Sequence, residues 1–263
     1  MTEAASRRRN LFDLTGHVSV ITGGNGGIGL GMARALADAG AAVALWGRNQ
    51  AKTAEAVASI RDDGGVAHGF ECNVDDEEQV EAAFAGTLDQ LGHVDSCFAN
   101  AGVGGSGAHS FVDLPIEEWH RVLRTDLDGV FFTLRAAARH MVERGEGGSL
   151  VGISSVAAIH GQPRGEHYAA AKTGLVGVSR ALAVELAAKG IRSNVVLPGW
   201  TRTAMTERAF AWDRFVERVL PRVPMRRWAE PEDLGGIAVY LASDASRFHT
   251  GDTFVIDGGY SIF

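Results

Sequence analysis

Apolar residues recur along this chain in two alternating rhythms. Short runs, nearly all apolar or β-branched, predict strands over 18–22, 42–46, 66–72, 94–98, 149–153, 192–197 and 253–256. Between them, apolar positions three or four residues apart predict helices over 28–39, 51–62, 77–91, 167–188 and 231–242. A further, longer helix opens at Pro115, with Glu117 and Glu118 in its first turn. Its stripe of Ile116, Trp119, Leu123, Leu127, Val130, Leu134, Ala138 and Met141 keeps a single helical period.

Strands this apolar must be buried on both faces, and their alternation with helices implies parallel pairing. Right-handed crossovers then give a doubly wound α/β sheet, a three-layer α/β/α sandwich with its site at the carboxyl ends of the strands. No linker or repeat divides it, so one domain is expected over 11–263 behind a polar leader over 1–10.

Composition narrows the class. With 46% hydrophobic and 22% charged residues the chain reads as an ordinary soluble domain. A net charge of −7 argues against a nucleic-acid partner. No apolar run approaches a membrane span. Arg7-Arg8-Arg9 reads as part of a solvated tail, and Arg8-Arg9-Asn10-Leu11-Phe12 faintly echoes a twin-arginine export signal, but no long apolar segment follows it. Cys72 and Cys97 read as reduced, buried thiols of a cytoplasmic protein. The histidines lack metal-ligand spacing, and no metal site is expected.

Two motifs carry the chemistry. Thr22-Gly23-Gly24-Asn25-Gly26-Gly27-Ile28-Gly29 follows the first strand and opens a helix. Glycines there let the backbone approach a pyrophosphate, whose charge rests on the helix N-terminus, as in a Rossmann fold. Downstream, Tyr168 and Lys172 lie four residues apart, one turn along a helical face. A phenol is a poor proton donor near neutrality, and an adjacent ammonium favours its ionised form.

The second strand ends Leu45-Trp46-Gly47-Arg48-Asn49, without the acid that an NAD-selective ribose site would carry. Gly47 offers a 2′-phosphate no repulsion and Arg48 could pair with it, so NADP(H) is favoured over NAD(H). Gly26, where a second basic residue would help, works against that preference. The missing acid also counts against a methyltransferase, which would need it to hold ribose.

With these motifs in order, the chain resembles the short-chain dehydrogenase/reductase family, in its single-domain branch, from residue 11 to 263. Asn100-Ala101-Gly102, Ser155, Pro198-Gly199 and Asp257-Gly258-Gly259 complete the resemblance. It implies hydride exchange at a nicotinamide between a ketone or aldehyde and a secondary alcohol. Tyr168 would be the acid/base, Lys172 its modulator and a ligand of the nicotinamide ribose. Ser155, thirteen residues before Tyr168, would hold the substrate oxygen, with Ser154 as the alternative. The cofactor would meet Gly23, Asn25, Gly27, Ile28, Gly29, Arg48, Asn49, Asn73, Val74, Asn100, Ala101, Gly102, Pro198, Gly199, Thr201 and Thr203. Asn73 stands where the family usually has Asp. Asp126 stands where the family has an Asn that holds a water linking the lysine to solvent; an acid there is a relay candidate that raises the lysine's pKa.

The substrate is expected to be a small apolar carbonyl compound, with a 3-oxoacyl thioester as the family's most frequent case. The aromatic-rich segment from Trp200 to Trp228 reads as a mobile lid, Gly104 to Gly107 as a flexible rim, and His160 and His167 as pocket-lining candidates. The resemblance also implies a homotetramer. A non-catalytic NADP(H) sensor on the same fold is the competing reading.

Overall fold

The computed structural model describes residues 10–263. The run Arg7–Arg9 and all but the last residue of the leader lie outside them. Along the described residues the chain runs β1 (Val18–Thr22), α1 (Gly27–Asp38), β2 (Ala42–Gly47), α2 (Gln50–Asp62), β3 (Val66–Glu71), α3 (Glu77–Leu91) and β4 (Ser96–Ala99). It continues with α4 (Ile116–Leu123), α5 (Gly129–Arg144), β5 (Gly148–Ile153), α6 (Glu166–Leu186) and β6 (Ile191–Pro198). Two short helices, α7 (Glu207–Phe210) and α8 (Asp213–Val219), precede α9 (Gly235–Ala242) and β7 (Thr253–Ile256).

The seven strands form one parallel sheet in the order β3-β2-β1-β4-β5-β6-β7. Strand order reverses between β1 and β4, and a crevice opens at their carboxyl ends there. Successive strand residues feed opposite cores. Val43 and Leu45 join Met32, Leu36, Ile60 and Leu241 on the face covered by α1, α2 and α9. Ala44 and Trp46 join Phe84, Leu134, Met141 and Leu175 on the face covered by α3, α5 and α6. Trp46 is fully buried, and its indole N–H donates to Thr87 Oγ1 at 3.1 Å, which satisfies the one polar atom it takes inside. Each such large apolar side chain contributes roughly 1.5–3 kcal/mol of burial.

Two elements depart from the pattern in the sequence. β4 begins at Ser96, not 94, because Asp95 is used at the strand entrance: its Oδ2 accepts the Val18 N–H at 2.8 Å and its own N–H donates to Val18 O. The long helix is interrupted. Between α4 and α5 the residues Arg124–Asp128 form a π-helical turn, which holds one more residue per bond than the α-helix. The expected stripe therefore breaks: Val130, Leu134 and Met141 are buried, but Ile116 is 57% exposed and the inward residues of the first half are Val122, Thr125 and Asp126. No helix among the described residues is long and apolar enough to cross a membrane.

Candidate active site

The glycine turn after β1 is shaped by close backbone approach. A Cβ at Gly29 would sit 2.4 Å from Gly23 O, so the first turn of α1 closes on the strand end only with glycine there. Gly23 has φ +64 and donates its N–H to Trp46 O at 2.8 Å. Asn100 ties β4 to this turn. Its side-chain amide donates to Thr22 O at 2.8 Å, while its N–H and that of Ala101 both donate to Thr22 Oγ1 at 2.9 Å. Neighbouring strands are thus locked where the crevice opens, and the first N–H groups of α1 remain available to an anion.

At the end of β2, the space above Gly47 is filled by Asn25. A Cβ on Gly47 would lie 2.2 Å from Asn25 Nδ2, which donates to Thr53 Oγ1 at 2.9 Å. An acidic side chain at position 47 would have to displace this amide. Asn49 accepts the Lys52 N–H at 3.0 Å and caps α2.

The opposite side of the site is organised by the π turn. It turns Asp126 fully inward, where Oδ1 accepts the Val103 N–H at 2.7 Å and Oδ2 lies 3.1 Å from Lys172 Nζ. Lys172 projects from α6, 4% exposed, and also donates to Ile153 O at 3.1 Å. Burial alone would push the ammonium's pKa down, but the Asp126 carboxylate and the neighbouring Tyr168 together offset it and hold the pKa above the ordinary lysine value. Asp126 therefore meets the lysine directly, at the position where the family resemblance implied a relay residue. Gly102 permits the contact: a Cβ there would approach Asp126 Oδ2 at 3.2 Å and Lys172 Nζ at 3.3 Å.

Tyr168 lies one turn before Lys172, whose Nζ is 5.5 Å from the centre of the phenol ring. The two serines at the end of β5 are used differently. Ser154 is buried and donates its hydroxyl to Lys172 O at 2.8 Å. Ser155 accepts the Ala157 N–H at 3.1 Å, which leaves its own hydroxyl proton free for a ligand.

A cleft of about 430 Å³ follows the crevice. Of the residues expected from sequence, Gly23, Asn25, Gly27, Ile28, Arg48, Asn73, Val74, Asn100, Ala101, Gly102, Tyr168, Lys172 and Thr203 line it. Its glycine floor, free helix N-terminus and basic end suit a dinucleotide. Gly29, Asn49, Pro198, Gly199, Thr201 and Asp126 do not line it; Asp126 and Thr201 are buried, and Asn49 is an exposed helix cap. Ser154 lines the cleft and Ser155 is the next residue beyond it. Thr201, expected to contact the cofactor, is buried and donates its hydroxyl to Gly199 O at 3.2 Å. Gly199 is required by packing, since a Cβ there would lie 2.6 Å from that of Asp257.

Among the lining residues that the sequence did not single out for the site are Lys52, Val103, Thr125, Ile153 and Ala204. The first had a signal: a lysine in the first turn of a helix opposes the helix dipole.

The α4 side of the cleft is bounded by side-chain contacts. Glu118 of α4 accepts the Ser106 N–H at 3.0 Å and is paired with Arg121, which also donates to Gly104 O at 2.9 Å. The rim over 104–107 is thereby tethered to α4, a firmer arrangement than its glycines suggested. Arg121 holds the Glu118 carboxyl down at about 2. His167 is buried behind this rim, 3.6 Å from Glu118, and a Cβ on Gly105 would lie 2.4 Å from its Nε2. His160 bonds Ser261 at 2.9 Å, and neither histidine lines the cleft. In the expected lid, Phe210 stacks on Trp228 at 4.3 Å and Trp200 meets Phe215 at 4.9 Å.

Residues 23–261 match the family model described as "Enoyl-(Acyl carrier protein) reductase". L-rhamnose 1-dehydrogenase (NAD(P)(+)) of Azotobacter vinelandii is 37% identical over 91% of this chain and 94% of its own length. A crystal structure of a short-chain type dehydrogenase/reductase from Mycobacterium marinum superposes with a TM-score of 0.91 and 37% identity, covering 96% of this chain and 98% of that one. A gluconate 5-dehydrogenase from Burkholderia cenocepacia, solved in complex with NADP and tartrate, gives 0.90 and 34% over 95% and 97%.

Proposed function

Because the chain belongs to the short-chain dehydrogenase/reductase family and is an NAD(P)-dependent oxidoreductase, we propose that it interconverts a small carbonyl compound and its secondary alcohol with NADP(H) as the preferred cofactor. The observation that carries this reading is Tyr168 and Lys172 together in the lining of the cleft, with the ammonium fixed between Ile153 O and Asp126. When bound, the dinucleotide supplies the hydride.

The chain's own residues supply position and protons. Gly23, Gly27 and the α1 N-terminus hold the pyrophosphate, with Asn73, Val74, Ala101 and Gly102 beside the adenosine half and Thr203 at the opposite end of the turn. Ser155 donates a hydrogen bond from its hydroxyl to the substrate oxygen and keeps its proton. Tyr168 gives that oxygen a proton in reduction and takes it in oxidation. Lys172 favours the ionised phenol and holds the nicotinamide ribose, while Asp126 keeps the lysine charged and fixed in place.

Two substrate classes have support. Similarity to a rhamnose dehydrogenase and a gluconate dehydrogenase favours a polyhydroxylated sugar or sugar acid. The description of the matching family model favours an acyl thioester. Exposed apolar residues on the helices, among them Ile116, Phe131 and Val184, support a homotetramer, which solution mass would test. Two free, buried thiols support a cytoplasmic setting.

The deciding experiment follows NADPH and NADH absorbance against both substrate panels, with Tyr168→Phe as control. Turnover that the substitution abolishes supports the reading. Tight nucleotide binding without turnover on any panel would instead identify a sensor.

A further inference from the structure

Arg48 favours NADP(H), while Gly26 leaves the glycine turn without a cation of its own. In the fold that cation is present but comes from another element. Lys52, in the first turn of α2, lays its ammonium against Gly26: a Cβ on that glycine would lie 2.5 Å from Lys52 Nζ. Arg48 and Lys52 both line the same end of the cleft as Gly47.

Local charge says what this end of the cleft is for. Lys52 is the third residue of α2, and Asn49 caps the helix. The first turn carries no acidic residue. A cation in the first turn of a helix opposes the helix dipole, and Arg48 just before the cap adds a second positive charge to the cleft, an arrangement that a bound anion would relieve. Neither Arg48 nor Lys52 forms an ion pair among the described residues. Glu71, the partner of Gly47 in the β2–β3 register, is engaged by the Gln50 side chain.

We propose that Lys52 is the second half of a phosphate clamp, and that with Arg48 it selects the 2′-phosphate of NADP(H) over the bare ribose of NAD(H). The inference rests on the reading above, in which the cleft prefers NADP(H). In this clamp the delocalised guanidinium of Arg48 binds two phosphate oxygens and the compact Lys52 ammonium a third. Asn25 occupies the place of the acid that would bind ribose hydroxyls, so selection operates by attraction at two cations and by the absence of a carboxylate.

The test is calorimetric and needs no turnover. Adenosine 2′,5′-bisphosphate and adenosine 5′-monophosphate are titrated into the parent chain, Lys52→Ala, Lys52→Arg and Arg48→Ala. The parent should bind the bisphosphate at least tenfold more tightly than the monophosphate. Lys52→Ala should lose about five- to tenfold of that ratio and leave the monophosphate unchanged, in keeping with one charge-assisted hydrogen bond of about 1–1.5 kcal/mol. Lys52→Arg should keep most of the ratio.

A rescue distinguishes a clamp from a general surface effect. Gly26 has extended backbone, and only the flexible end of Lys52 contests its Cβ space. Gly26→Arg in the Lys52→Ala background should therefore restore the ratio.

If the parent discriminates but Lys52→Ala leaves the ratio within twofold, or weakens both ligands alike, the clamp is wrong while the NADP(H) reading stands. If the parent does not discriminate, the cofactor reading itself fails and the clamp with it.

Discussion

The two walls of the cleft are held by different forces. On the β1–β2 side the backbone does the shaping, as the 2.4 Å between a Gly29 Cβ and Gly23 O and the doubly used Thr22 hydroxyl attest. On the α4–α8 side the wall is made of side chains: Glu118 and Arg121 tether the rim, and Trp200, Phe210, Phe215 and Trp228 pack the lid. A backbone-built wall tolerates few residues and fits one ligand shape. A wall of side chains can be altered without moving the strands, which makes it the more adaptable half of the site. Between the walls stands α6, carrying Tyr168 and Lys172.

The sharpest test of this division is Tyr168→Phe. It should lower kcat by about 10³-fold, within the range for a lost general acid or base, while the fluorescence-titrated cofactor affinity stays within about threefold. A variant that lost cofactor binding in proportion would mean that α6 belongs to the nucleotide wall.

Next comes the ion pair behind it. Asp126→Ala leaves a buried ammonium unpaired and should cost about 3–5 kcal/mol in chemical denaturation. Because Lys172 is held above the ordinary lysine pKa, the pair's contribution is fully present at neutral pH. It is lost only as pH rises beyond the ordinary lysine range through that raised value. Asp126→Asn keeps an acceptor for the Val103 N–H but removes the negative charge, so its pH–rate profile should move to lower pH. A profile that coincides with the parent's would remove Asp126 from the chemistry.

A matched pair of glycine substitutions probes the walls themselves. Gly29→Ala should destabilise by about 1–3 kcal/mol, the usual cost of forced overpacking, and weaken dinucleotide binding at least tenfold. Gly104→Ala meets only Met205 at ordinary contact distance, 3.5 Å, and should stay within about 0.5 kcal/mol of the parent by denaturant midpoint. Equal effects would erase the distinction.

The smallest effect is expected at the rim. Glu118→Gln should raise KM about threefold with little change in kcat, measured at saturating cofactor. The carboxyl is held low, at about 2, so its contribution is present above the ordinary glutamate range and fades as pH falls through about 2.

What was legible in the sequence follows the same division. Gly23, Gly27 and Gly29 could be read because close backbone approach admits almost no other residue. The strands could be read because burial on both faces demands continuous apolar runs. Lys52 was missed because its role depends on α2 folding back over Gly26, a juxtaposition that no local spacing reveals. Thr201 and Thr203 are equivalent in sequence; only the turn around Gly199 shows that Thr201 faces inward and Thr203 faces the cleft. Ser154 and Ser155 separate only once Lys172 O is seen to take the Ser154 hydroxyl. The interruption of the long helix was invisible because the apolar stripe crosses it with normal spacing.

That interruption has a mechanical consequence. Each residue of an α-helix advances the chain by about 100° of rotation, so Arg124–Asp128 acts as a phase shifter between two otherwise ordinary rods. Excising one residue there would give a smoother cylinder, yet it would rotate either Val122 out of its buried seat or the Asp126 carboxylate away from its ammonium. The angular offset lets the two rods together serve both the core and the Lys172 ammonium.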